Sequence, residues 1–183
     1  SFGATLAKTM QFSSSRQTQL ISVDTDAATN PTVTPSEFQA KIPTPWELGL
    51  GVAYFPSKRL LIVSDLYYYT ADKDFQDHVI EQTINLSVGA ETYLNDTTAL
   101  RLGLFTNNAN SPKLVSGMTN QADHVDLMGV TGAIALKGPG SSMTLGTTYS
   151  MGKGEGQAIG GNTTIHTIED SRLSVYLTGS YQL

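Results

Sequence analysis

The chain has 183 residues, of which 15% are charged, and carries a net charge of −5. Ordinary soluble domains hold about 25% charged residues, so little of this surface is built for water. No apolar run approaches the ~18 residues of a membrane helix, the absence of cysteine removes disulfides, thiol catalysis and Cys-based zinc sites, and no basic patch points to nucleic acid.

Residues 2–12 alternate, with Phe2, Ala4, Leu6, Met10 and Phe12 against Gly3, Thr5, Ala7, Thr9 and Gln11. A period of two means a β-strand, because successive Cβ atoms point to opposite faces. Lys8 interrupts the apolar side. The pattern begins at once, without a leader sequence, as in a processed chain or a piece of a longer one. A polar stretch rich in Ser, Thr and Pro follows over 13–45. It reads as one large loop holding an ordered hairpin, with strand-like pieces at 19–23 and 37–42.

The hairpin over 46–70 is the most informative stretch. Trp46, Leu48, Leu50, Val52 and Tyr54 fall on one side of its first arm, and Glu47, Gly49, Gly51, Ala53 and Phe55 on the other. A face of tiny and polar groups opposite an unbroken apolar band is the pattern of a membrane β-barrel strand, with lipid outside and lumen inside. The arm turns at Pro56-Ser57-Lys58-Arg59. The second arm sends Leu60, Ile62, Leu66 and Tyr68 outward and Leu61, Val63, Asp65, Tyr67 and Tyr69 inward. Residues 71–79 read as a loop.

A second hairpin over 83–106 sends Ile84, Leu86, Val88, Leu100, Leu102 and Leu104 outward. Asn85, Ser87, Gly89, Glu91, Arg101, Gly103 and Phe105 face inward. Asn95-Asp96-Thr97 supplies the turn, since Asn and Asp favour turns. A three-residue loop there places Glu91 opposite Arg101, Gly89 opposite Gly103 and Ala90 opposite Leu102, which predicts an ion pair inside the lumen. After a polar loop at 107–123, a third hairpin runs over 124–151, turning at Gly138-Pro139-Gly140, where Pro then Gly suits a type II turn. Residues 152–169 are rich in Gly and Thr and read as a loop. The last strand covers 170–183.

Short turns therefore alternate with long loops at 13–45, 71–79, 107–123 and 152–169, which is the pattern of outer-membrane barrels. Eight antiparallel strands result, with both chain ends on the short-turn side. Leu183, Tyr181, Gly179, Leu177, Val175 and Leu173 share one face of the last strand. An apolar terminal residue with Tyr two before it resembles the C-terminal signal read by the barrel-assembly machinery, with Leu183 where Phe is usual.

The stretch KIPTPWELGLGVAYFPSKRLLIVSDLYYYT, followed by INLSVGAETYLNDTTALRLGLFTNNANSP, resembles the FadL/TodX family of outer-membrane transporters for long-chain fatty acids and other hydrophobic compounds. The shared order is Pro and Trp before a Gly-containing strand, a short turn, a Gly to Tyr strand at 89–93, an Asn95-Asp96 turn, an Arg101-Leu102-Gly103 strand and a Ser111-Pro112 loop. The resemblance covers about 42–183. It implies a fourteen-stranded transmembrane β-barrel in the bacterial outer membrane, plugged by an N-terminal hatch, of which this chain supplies the last eight strands. It also implies passive uptake of hydrophobic small molecules, with no reaction and no cofactor. Outer-membrane lipid or lipopolysaccharide would surround the barrel.

Two other classes stay open. One is a small structural or adhesion barrel of eight strands whose surface loops do the work. The other is a soluble lipid-binding barrel, against which the small-residue face and low charge count argue.

The candidate substrate-lining residues are Glu47, Asp65, Tyr67, Glu91, Arg101, Phe105 and Arg172, all on the inward side by parity. They read either as the lining of a substrate path or as a structural network of the lumen. Tyr69 offers further inward aromatic surface. His78, His124 and His166 fall in or near loops, with no spacing that gathers them on a metal. No G-x-S-x-G nucleophile motif occurs, and Gly152 to Gly156 lack the spacing of a phosphate loop.

Overall fold

The computed structural model describes residues 1–8, 15–22, 32–39, 44–73, 79–158 and 161–181. No helix occurs among them; the strands are β1 (Phe2–Lys8), β2 (Ser15–Ser22), β3 (Thr32–Gln39), β4 (Trp46–Ser57), β5 (Leu60–Tyr69), β6 (Asp72–Lys73), β7 (Val79–Ile80), β8 (Thr83–Tyr93), β9 (Thr98–Asn107), β10 (His124–Gly138), β11 (Ser141–Gly156) and β12 (His166–Tyr181). Eight of them form one antiparallel sheet in the order β1-β4-β5-β8-β9-β10-β11-β12. The sheet is a meander, and the two small pairs β2-β3 and β6-β7 are excursions between its strands. It is open: β1 and β12 are its edges.

Alternation decides which side chain goes where. Cross-strand neighbours build continuous rows, and one outward row reads Phe2, Val52, Ser64, Val88, Leu104, Val130, Tyr149 and Leu173. Most members of this row are large apolar side chains exposed at the surface. Among the described residues no large side chain is fully buried, and the buried apolar ones are Ala99, Leu127, Ala133 and Ala135. Among the described residues nothing forms a second layer on the apolar side of the sheet. Lys8 lies on that side opposite Trp46, with its ammonium 4.9 Å from the indole centroid. A cation over an aromatic face accounts for a charge that the alternation alone left unexplained.

The inward face is small because three of its glycines seat aromatic rings of the neighbouring strand. Tyr67 lies opposite and over Gly49, Phe105 over Gly129 and Tyr176 over Gly146. A Cβ at Gly49 would stand 3.2 Å from the Tyr67 ring, and one at Gly129 or Gly146 would collide with the ring outright. Aromatic cover of strand glycines restores the packing they lack and pins register.

The turns refine the expected boundaries. β4 continues through Pro56 to Ser57, and the turn contracts to Lys58 and Arg59, with a bulge between Tyr54 and Ser57. Proline has no N–H for the ladder, so a bulge is where a strand tolerates it. Asn95 Oδ1 accepts hydrogen bonds from the Thr97 backbone N and hydroxyl, at 2.9 Å each, closing the three-residue loop. Gly140 has φ +70, as the position after Pro139 in a type II turn requires.

At the opposite end, strand pairing reaches further than expected. β11 runs to Gly156 and β12 begins at His166, so the stretch read as a loop over 152–169 shortens to 157–165. Glycines had suggested a loop; here Gly152 and Gly154 admit the Asp126 and His124 backbone where a Cβ would clash. The strand pieces placed at 19–23 and 37–42 lie at Ser15–Ser22 and Thr32–Gln39; Val23 and residues 40–42 fall outside the described residues, as do Met10, Phe12, His78 and Leu183.

Both described chain ends lie at the short-turn side. The Ser1 amino group donates to the Ala53 carbonyl at 2.7 Å, and Tyr181 pairs with Ser141.

Candidate functional site

The seven candidate residues share the inward face, and register distributes them over four rows. The central row reads Gly3, Gly51, Asp65, Ser87, Phe105, Gly129, Ser150 and Arg172. Asp65, Phe105 and Arg172 therefore stand at one level. Tyr67 lies one row toward the long connections, opposite Asn85, and Glu47 one row beyond, opposite Tyr69. Glu91 and Arg101 lie two rows toward the short turns.

Glu91 and Arg101 are directly opposed. Arg101 Nε donates to Glu91 Oε2 at 2.6 Å, with side-chain exposures of 42% and 17%. The three-residue turn produces this pairing, because one residue fewer would put Glu91 across from the outward Leu100. Two inward residues not singled out from the sequence complete the cluster. Lys137 Nζ stands 3.7 Å from Glu91 Oε1, contacts the Tyr93 hydroxyl and lies 4.3 Å from the Tyr93 ring centroid. Parity alone would have put both on this face. What it lacked was the lateral stagger that carries Lys137, at the end of β10, toward β8.

The remaining candidates part into two kinds. The Tyr67 and Phe105 rings cover Gly49 and Gly129, so they line the inner surface. Asp65 Oδ2 accepts from the Ser87 hydroxyl at 3.3 Å. Arg172 binds Asp170, two residues earlier on the same face, with Nε 3.0 Å from Asp170 Oδ2. Its strand's own alternation makes that pair, a neighbour the sequence reading passed over.

Arg172 also borders a cavity of about 330 Å³ on the inward side, together with Tyr69, Thr83, Asn85, Asn107 and Asn110. The connection over 108–123 is tied to both faces of the sheet, to Asn85 on the inward one and Asp126 on the outward one. Asn108 N donates to Asn85 Oδ1 at 2.7 Å, and Ala109 N to Asp126 Oδ1 at 2.8 Å. Gln121 and Gln157 join this connection to the one over 157–165, with Gln121 N donating to Gln157 Oε1 at 3.0 Å. His124 Nδ1 lies 2.5 Å from the Ser111 carbonyl, a structural tie within the same connection.

Chemically, the inward face offers paired charges, amides and flat aromatic rings, which suit lining and positioning. No group of three or more His, Cys, Asp or Glu able to hold a metal occurs among the described residues. No family model matches this chain, and no curated protein matches it in sequence.

Proposed function

We propose that the chain forms part of a bacterial outer-membrane channel for the passive uptake of hydrophobic solutes such as long-chain fatty acids or hydrocarbons. The observation that carries this reading is the outward face: eight antiparallel strands present a broad band of exposed Leu, Val, Ile, Met and Tyr, which no second layer covers among the described residues. In water such a face would drive association; against hydrocarbon it costs nothing.

The connections support the same reading, since turns of two or three residues sit at one end and the longer connections at the other. An open strand edge in hydrocarbon leaves N–H and C=O groups unsatisfied at several kcal/mol each. Completion of the barrel by further strands beside β1 and β12, toward the fourteen implied by the family resemblance, would pair them. Glu47, Asp65, Tyr67, Glu91, Arg101, Phe105 and Arg172 then line the lumen. Polar pairs hold its walls, and the aromatic rings supply greasy surface for the solute.

The test is reconstitution into liposomes of the full-length natural protein that contains this chain, with entry of a labelled long-chain fatty acid and of a polar solute of equal size followed side by side. The expected result is faster entry of the fatty acid alone, relative to empty liposomes. Membrane insertion without solute entry would sink the transport reading and favour a structural or adhesion barrel. A chain that stays in solution without detergent would sink both.

A further inference from the structure

We infer that the inward cavity bordered by Arg172 is a seat for the carboxylate of an amphiphilic solute, an inference that deepens the channel reading above and rests on it. The cavity measures about 330 Å³, at the small end of the roughly 300–1,000 Å³ of ligand sites. It suits a head group and the start of a chain, not a whole long-chain acid. It lies where β8, β9 and β10 meet the connection over 108–123, at the end of the sheet that carries the long connections.

Hydrogen bonds within the protein already occupy several of the acceptors around it. The Asn85 side-chain oxygen accepts from Asn108 N at 2.7 Å, and the Ala109 carbonyl from the Thr83 hydroxyl at 3.3 Å. The Asn110 carbonyl accepts from Glu81 N at 2.7 Å. Donors are what remain with fixed directions. An amide held by its oxygen turns its NH2 the other way, so Asn85 offers Nδ2. Asp170 grips Arg172 side-on, through Nε at 3.0 Å and Nη2 at 2.5 Å. That grip orients the guanidinium and leaves Nη1 without a partner among the described residues. The side-chain amides of Asn107 and Asn110 are unpartnered among the described residues too, and each can turn its NH2 to the same point. Arg172 is the one ionised side chain in the lining among the described residues. A carboxylate only accepts hydrogen bonds, and charge-assisted bonds to it are about twice as strong as neutral ones.

Apolar surface begins beside the donors. Val125 and Leu127 line the same cavity. The next row toward the short turns carries Phe105 over Gly129, where a chain attached to the carboxylate would lie. Between Arg172 and β10, β11 presents only Ser150 and Gly152 on this face. These small residues leave the guanidinium room to reach.

The experiment is equilibrium binding of radiolabelled decanoate and 1-decanol to the full-length natural protein that contains this chain. The protein is held in lipid nanodiscs at about pH 8, where the acid is ionised, with empty nanodiscs as the blank. The expected wild-type result is decanoate bound about tenfold more tightly than 1-decanol. Arg172→Gln and Asn85→Leu should each lower decanoate affinity about tenfold and leave 1-decanol unchanged. Lys153→Gln, which removes a cation from the outward face, should change neither. Equal affinity of the wild type for the two probes overturns the inference, and this comparison decides even where a variant fails to fold. A loss of decanoate affinity in Lys153→Gln as large as that in Arg172→Gln overturns it as well. Equal affinity alongside entry of fatty acid into liposomes defeats the carboxylate seat alone, whereas absence of entry defeats the channel reading.

Discussion

Gly129 and Gly132 stand three residues apart on β10 and face opposite ways. At Gly129 the Phe105 ring occupies the place of the missing side chain, and the Tyr149 carbonyl would lie 2.9 Å from a Cβ built there. At Gly132 the place is open. The same residue type is a seat on the inward face and a notch on the outward one. The difference teaches that the two faces answer to different surroundings. The inward face packs rings and charges onto itself, while the outward face is left for whatever surrounds the sheet.

Four measurements break or sharpen that contrast. The largest effect is expected at Leu86, exposed on the apolar face, and its inward neighbour Ser87, the partner of Asp65. Leu86→Arg should destabilise the barrel in lipid vesicles by about 2–4 kcal/mol. Ser87→Arg should cost clearly less, because the new guanidinium meets Asp65. Urea unfolding from vesicles gives both values, and equal costs would remove the distinction between the faces.

Next come the glycines themselves. Gly129→Val forces Phe105 off its seat and should cost about 1–3 kcal/mol. Gly132→Ala should change stability by no more than about 0.5 kcal/mol. A comparable loss at Gly132 would mean that the outward notch is a packing requirement after all.

A smaller effect belongs to the lumen pair. Arg101 is well exposed, so water screens its attraction to Glu91, and a double-mutant cycle of Arg101→Ala with Glu91→Ala should give a coupling of at most about 1 kcal/mol. Lys137 stays near Glu91 in the Arg101→Ala protein. Losing Lys137 as well should therefore reduce stability more than the two single losses added together.

The smallest effect is expected at the outward charged row. Lys153 and Glu169 are largely exposed to solvent, at 74% and 68%, and separating them with Glu169→Gln should leave the unfolding midpoint unchanged within error. A clear loss would show that this pair supports the long β11 and β12 ladder.

Alternation along the chain was enough to assign the faces, because a strand has only two sides and one residue of slip exchanges them. It placed Leu50 and Leu102 outward and Glu91 and Arg101 inward. With the turn chemistry of Asn95-Asp96-Thr97 it also set the register that joins the last two, since loop length decides which residues meet across a hairpin. The strand ends at Gly156 and His166 escaped it, because glycine is equally at home in a loop and in a crowded strand. So did Lys137 beside Glu91, the aromatic lids over Gly49, Gly129 and Gly146, and the open place over Gly132. Apart from Tyr67 over Gly49, which face each other within one hairpin, each of these depends on residues from different hairpins brought together in the sheet, a distance that periodicity within one strand cannot measure.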